Sequence, residues 1–221
     1  QGGVISPLLS NLFLHYAFDL WMAREFAHIP FCRYADDGLI HCRSKKQAYY
    51  VLARLKNRLK ECGLEVHPTK TRIVYCKDIH RRQKEENIQF DFLGYTFRPR
   101  RSKDRYGRVF VNFTPGISRA AAKAIRQTVR RWRVQLKSDK SIEDLGRMFG
   151  PMIRGWITYY CRFYRSAFAP VARHLNWALA RWVMRKFKRF RGHRSRAMEW
   201  LRRVAYRTPN IFPHWQAGFK P

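Results

Sequence analysis

Phe31-Cys32-Arg33-Tyr34-Ala35-Asp36-Asp37-Gly38-Leu39-Ile40 sets two adjacent carboxylates between two short apolar runs. Asp-Gly between such runs is a strong hairpin signal, so 31–43 reads as two short strands around Asp36-Asp37-Gly38. Like charges this close repel one another. A divalent cation removes the repulsion, and Mg²⁺ accepts oxygen ligands while keeping coordination positions for substrate phosphates. A pair of such ions activates an attacking hydroxyl and stabilises the leaving oxygen of an in-line displacement. The plain alternative is an ordinary Asp-Asp-Gly hairpin, and Tyr34-Ala35-Asp36-Asp37 alone does not decide between the two.

Upstream of this hairpin, Ser6-Pro7 starts a helix with Pro at the first helical position, and Leu9, Leu12, Phe13, Tyr16 and Leu20 follow at helical spacing. Downstream, Ser44 caps a second helix whose apolar face is Ala48, Val51, Leu52, Leu55 and Leu59, and Gly63 stops it. Strands are expected near 64–67, 71–76, 90–97 and 108–113. Past the turn-forming Thr114-Pro115-Gly116 the pattern becomes helical. Over 118–136, Arg119, Lys123, Arg126, Arg130, Arg133 and Lys137 fall within about 80° of one another, a basic stripe roughly 27 Å long. Ala121, Ile125, Val129, Trp132 and Leu136 share another face, the expected buried one. The fold class read from these patterns is α+β. Residues 1–113 supply an antiparallel sheet with packing helices, 114–116 a linker, and 117–221 an all-α domain.

The 221 residues carry 46 Lys+Arg against 15 Asp+Glu, a formal net charge of +31. Repulsion on that scale is best relieved by phosphates, which points to a polyanion and away from a small-molecule binder. A generic basic RNA-binding or chromatin-type protein accounts for the charge equally well. The excess is uneven: the first 116 residues hold 21 basic and 11 acidic side chains, the rest 25 and 4. Hydrophobic residues at 46% and aromatics at 15% exclude global disorder. The five cysteines are odd in number and form no CxxC pair, which argues for a reducing compartment over a disulfide framework or zinc ribbon. No membrane partner is expected, because no run of about 18 apolar residues occurs. The sequence starts at Gln1 and its first Met is Met22, the pattern of an internal piece.

The Asp-Asp turn has companions. Gln1-Gly2-Gly3-Val4-Ile5-Ser6-Pro7-Leu8-Leu9-Ser10-Asn11 precedes it. Gly63-Leu64-Glu65-Val66-His67-Pro68-Thr69-Lys70-Thr71 and then Phe90-Asp91-Phe92-Leu93-Gly94-Tyr95 follow it. In this order and spacing the set resembles blocks four to seven of reverse transcriptases, and the first stretch resembles the group II intron-encoded branch. Gly155-Trp156-Ile157-Thr158-Tyr159-Tyr160 and Pro209-Asn210-Ile211-Phe212-Pro213-His214-Trp215 resemble the maturase-specific thumb region of the same family. The resemblance implies a partial reverse-transcriptase palm followed by an all-α thumb/maturase domain. It implies that Asp36 and Asp37 are catalytic and bind Mg²⁺, or Mn²⁺ in its place. Gln1, Gly2 and Tyr34 match residues at the nucleotide pocket, Lys70 a lysine near the triphosphate, and Phe92, Leu93 and Gly94 the primer grip. The implied partners are intron RNA, an RNA template, a DNA primer and deoxynucleoside triphosphates. The implied location is the bacterial cytoplasm, beside the nucleoid.

One departure matters. The family's third carboxylate lies on a strand in an earlier block that this sequence does not include, and Asp19 stands in no matching position. The expectation is therefore a piece of an RNA-directed DNA polymerase that also serves intron splicing and mobility, inactive in synthesis by itself. A non-catalytic intron-RNA-binding maturase remnant is the alternative. Nucleic-acid contacts are expected in three places. Arg98, Arg100 and Arg101 stand in a loop over 98–108. Arg119, Lys123, Arg126, Arg130 and Arg133 form the stripe, and Arg181, Arg185 and Lys188 a later basic run. The rings at Trp156, Tyr159, Tyr160, Phe163 and Tyr164 read mainly as packing between helices.

Overall fold

Pro7 sits in the first turn of helix α1 (Ser6–Leu14), where its missing N–H would have had no helical partner. A single wide turn, a π-helical segment over His15–Asp19, joins α1 directly to α2 (Leu20–Glu25). The wide turn resets the buried face: Ala17, Phe18 and Met22 are buried, whereas Leu9, Leu12, Phe13 and Tyr16 are exposed. The computed structural model describes residues 3–81 and 83–221. Strands β1 (Phe31–Tyr34) and β2 (Asp37–Ile40) pair antiparallel, from Phe31 opposite Ile40 to Tyr34 opposite Asp37. Ser44 caps α3 (Lys45–Glu61), its Oγ accepting the Gln47 N–H at 3.1 Å. Val51 and Leu55 of α3 join Phe18, Met22 and Ile29 in a small core.

The strands expected at 64–67 and 71–76 do not form ladders among the described residues. A β-strand needs a partner edge, and none of the described strands lies alongside them. Instead His67–Lys70 turns, with the Thr71 N–H donating to the His67 carbonyl at 2.9 Å.

The chain divides into two compact units, Gln1–Tyr75 and Cys76–Pro221. The second unit opens with a three-stranded antiparallel sheet in the order β3 (Phe90–Phe92), β4 (Tyr95–Lys103), β5 (Val109–Ile117). The expected single strand over 90–97 is two strands joined at Leu93-Gly94. The expected loop over 98–108 is mostly β4, with the reversal confined to Asp104–Arg108. There the Asp104 carboxylate accepts the Tyr106 and Arg108 N–H groups. Thr114-Pro115-Gly116, expected as a linker, runs inside β5, with Pro115 opposite Phe97 and Gly116 opposite Thr96. Among the described residues β5 pairs only with β4, and an edge strand tolerates proline where the missing N–H would face away from its partner.

Helices follow: α4 (Arg119–Arg131), α5 (Ile142–Tyr160), α6 (Ala169–Lys186), α7 (Arg194–Arg207) and α8 (Pro213–Gln216). Ser118 caps α4, and Ser141 with Asp144 forms a reciprocal capping box on α5. α5 carries Pro151 in its interior. α6 is the central helix, burying Val171, Leu175, Leu179, Trp182 and Val183 against Leu145, Ile153, Phe168, Leu201, Phe212 and Trp215. A polar hub lies inside this core. Asn176 Oδ1 accepts from Trp215 Nε1 at 2.9 Å and from His214 Nε2 at 2.8 Å, while Asn176 Nδ2 donates to the Phe219 carbonyl. Burial holds His214 neutral, its pKa pushed down to about 3.

Candidate active site and nucleic-acid interface

Asp36 and Asp37 stand at the tip of the β1–β2 hairpin, both exposed. The turn itself is Ala35-Asp36, two residues earlier than the Asp-Gly signal placed it, and Asp37 and Gly38 belong to β2. Ala35 has φ +53°, a left-handed conformation that a side chain disfavours. Its carbonyl is held from behind: Arg33 Nη1 donates to it at 2.8 Å and to Asn11 Oδ1 at 3.0 Å. The same guanidinium is bidentate on Asp19, at 2.8 and 2.6 Å. Arg33 thereby keeps the Asp19 carboxyl below the usual carboxylate range. Asp19, on the π-helical turn, is the anchor of this brace. Sequence reading passed over both residues. The available signal was an Asp in an otherwise almost uncharged helix and an Arg immediately before Tyr34.

Tyr34 is 64% exposed beside the tip. Lys70 lies exposed in the His67–Lys70 turn of the same unit. Gln1 and Gly2 lie outside the described residues. Among the described residues neither Asp36 nor Asp37 forms an ion pair, and no three His, Cys, Asp or Glu side chains cluster to hold a metal. Two hard carboxylate donors left open to solvent fit an oxygen-seeking divalent ion as part of its ligand set.

In the second unit, Phe92 ends β3, and Leu93 and Gly94 form a tight two-residue turn, with Leu93 at φ +49° and Gly94 at φ +77°. The turn rests on the end of α5. Tyr159 Oη donates to the Leu93 carbonyl at 2.9 Å, and Tyr95 Oη donates to the Tyr159 carbonyl. A Cβ on Gly94 would stand 2.9 Å from Tyr160 Oη, so both the backbone conformation and the close approach require glycine. Tyr159 and Tyr160, expected mainly as packing between helices, thus position this turn.

Arg98 and Arg101 are exposed on β4. Arg100 is not available to phosphate: it is buried, donates to the Thr96 and Thr114 carbonyls and lies over the Tyr164 ring. On α4, Arg119, Lys123 and Arg130 are exposed and Arg126 is half-buried, with Ile125 and Val129 buried behind them. The stripe is shorter than its spacing suggested. α4 stops at Arg131, and Arg133 adopts a left-handed conformation at φ +46°. Trp132 stacks between Phe149 and Trp156, which turns the chain out of the helix and leaves Leu136 exposed. Arg181, Arg185 and Lys188 are exposed. Lys186 between them is committed to the carbonyls of Ser138 and Lys140.

Residues 1–97 match the family model described as reverse transcriptase (RNA-dependent DNA polymerase). Residues 122–200 match the group II intron maturase-specific domain. A comparison with curated proteins gave no match. The first match contains the Asp36-Asp37 tip and ends in β4, and the second runs from α4 into α7. Members of the reverse transcriptase family use divalent metal ions and act on nucleic acid. With both domains in this order, the chain belongs to the group II intron-encoded reverse transcriptase/maturase family, RNA-directed DNA polymerases that also serve intron splicing and mobility.

Proposed function

We propose that Asp36 and Asp37 are the carboxylates that hold Mg²⁺, or Mn²⁺ in its place, for RNA-directed DNA synthesis, and that the helical unit holds intron RNA and the template–primer. The observation that carries this reading is the placement of both carboxylates on an exposed hairpin tip whose backbone is braced by Arg33. When bound, the metal neutralises charge on the incoming triphosphate and favours the ionised primer 3′-hydroxyl. The chain's own groups do the positioning. Arg33 and Asp19 fix the tip, Tyr34 offers a ring face beside it, and Lys70 supplies a cation for the triphosphate. The Leu93-Gly94 turn, gripped by Tyr159, presents backbone to the primer end. Each addition forms a bond from the 3′-oxygen to the α-phosphorus and releases pyrophosphate. These substrates put the work in the cytoplasm, beside the nucleoid. Among the described residues no helix is long and apolar enough to cross a membrane.

Two-metal catalysis needs enough ligands to hold ions about 3.5–4 Å apart. Asp36 and Asp37 gather no third ligand among the described residues. By itself the chain is therefore expected to bind RNA without extending a primer, and this observation also favours the second reading, a non-catalytic maturase. The test is primer extension with Mg²⁺ or Mn²⁺ beside filter binding to intron RNA. The chain alone should bind without extension. The reading frame extended upstream of Gln1 should extend the primer and lose that ability with Asp36→Ala, at unchanged RNA affinity. No extension by the longer frame selects the non-catalytic reading, and robust extension by the chain alone refutes the account of the missing ligand.

A further inference from the structure

A groove of about 810 Å³ runs along α6 and α7, with Trp177, Phe190, Met198 and Trp200 in its lining. Ligand sites span about 300–1,000 Å³. Five arginines, Ser195 and one carboxylate, Glu199, complete the lining. Arg202 and Arg203 both bond Glu199, at 2.7 and 3.5 Å. Among the described residues Arg189, Arg194 and Arg196 form no ion pair. Two of them lie over rings instead. Arg194 Cζ is 3.3 Å from the Trp177 ring centroid, and Arg189 Cζ is 4.8 Å from that of Phe190. Both arginines are exposed, so each guanidinium keeps an outer face toward solvent. Trp200 leans on Phe187 and Phe190 and remains half-buried.

We propose that this groove binds unpaired nucleotides of RNA. One base stacks on the Arg194–Trp177 pair and its neighbour on Trp200, both contacts being needed for the preference, and the flanking phosphates meet Arg189 and Arg196. The proposal rests on the reading of the helical unit as an RNA binder and names the part of the RNA taken at this place. Planar rings and guanidinium planes in a concave site recognise bases that are free to leave a stack, whereas a duplex keeps its bases inside. The α4 surface has the opposite make-up: Arg119, Lys123 and Arg130 present charge with no ring among them. Charge alone tracks the backbone, so α4 and the α6–α7 groove divide phosphate contact from base contact.

The experiment is fluorescence anisotropy of the full 221-residue chain with three RNAs of equal charge: a hairpin with an unpaired loop, a perfect duplex, and the same hairpin with an abasic loop. The intact loop should bind about tenfold tighter than either control, the size of one stacked base. Arg194→Gln lies on the surface and should remove that preference while leaving duplex affinity within about twofold. Trp200→Phe keeps a ring and should keep the preference, whereas Trp200→Leu should lose it at an unchanged circular dichroism spectrum. Should Trp200→Leu fail to fold, Arg194→Gln decides alone. Equal binding of all three RNAs, or a preference that survives Arg194→Gln, overturns the groove but not RNA binding. Failure to bind any of the three at low salt overturns the RNA-binding reading itself.

Discussion

Removing the carboxylate of Asp19 strands the Arg33 guanidinium, whose side chain is only 13% exposed against 23% for Asp19. Arg33 makes four hydrogen bonds, two of them to Asp19 and one to the carbonyl of the strained Ala35. Losing one partner of a fully buried pair costs about 3–5 kcal/mol. The residual exposure of this pair brings the expected cost of Asp19→Ala to about 2 kcal/mol. The loss should appear locally, as faster opening of the β1–β2 hairpin. About 2 kcal/mol corresponds to roughly 30-fold faster amide exchange wherever opening governs it. Hydrogen-exchange mass spectrometry of a peptide covering 31–40 measures this, with α5 as the unchanged reference. Asp19→Asn keeps an acceptor and should fall between. The sign with pH follows from Asp19 being held below the ordinary carboxylate value. The contribution is complete above about pH 3.9 and is lost as the pH falls through the lower folded value. Unchanged exchange over 31–40 in both Asp19→Ala and Arg33→Ala would refute the brace.

Protonation of His214 is disfavoured in the folded state, where its pKa is about 3, so the second unit should lose about 1.4 kcal/mol of stability per pH unit below about 6.5. Urea midpoints between pH 7 and pH 5 report this, and His214→Gln should flatten the dependence. Gly94→Ala puts a methyl at the Tyr160 hydroxyl in a left-handed turn and should lower stability by about 1–3 kcal/mol, partly restored by Tyr160→Phe in a thermal melt. Reversing charge at Arg119 and Lys123 together should reduce the log–log salt slope of RNA binding by about 1.4–1.8. Arg100→Gln should leave that slope unchanged and lower the melting temperature, because Arg100 serves backbone carbonyls.

Local chemistry made some of this architecture legible. Ser44 and Ser118 cap the helices they precede because a short hydroxyl satisfies an orphan N–H whatever the tertiary setting. The paired carboxylates on a hairpin were legible for the same reason. The position of the turn was not. Asp-Gly is the commoner turn pair, but a guanidinium arriving from β1 pins the Ala35 carbonyl and moves the reversal two residues back. The Leu93-Gly94 turn was hidden because Leu is a poor residue for positive φ, and the support that holds it there comes from Tyr159, 66 residues away. Arg100 counted as a cation for phosphate because charge counting does not show which carbonyls lie within reach. The strands at 64–67 and 71–76 carried the right propensity but found no described edge to pair with.

The grip of Tyr159 and Tyr160 on the Leu93-Gly94 turn has a kinematic consequence. A turn bonded to one residue of α5 and seated on the next cannot shift unless the end of that helix shifts with it. Pro151 interrupts the hydrogen-bond ladder of α5 and makes a natural joint. From Pro151 to Tyr160 the helix is a stiff arm roughly 13 Å long at 1.5 Å per residue. A bend of about 10° at the joint swings its tip by about 2 Å, and the turn travels with it. The stiffness of the helix at that one proline therefore sets how far this turn travels with the end of α5.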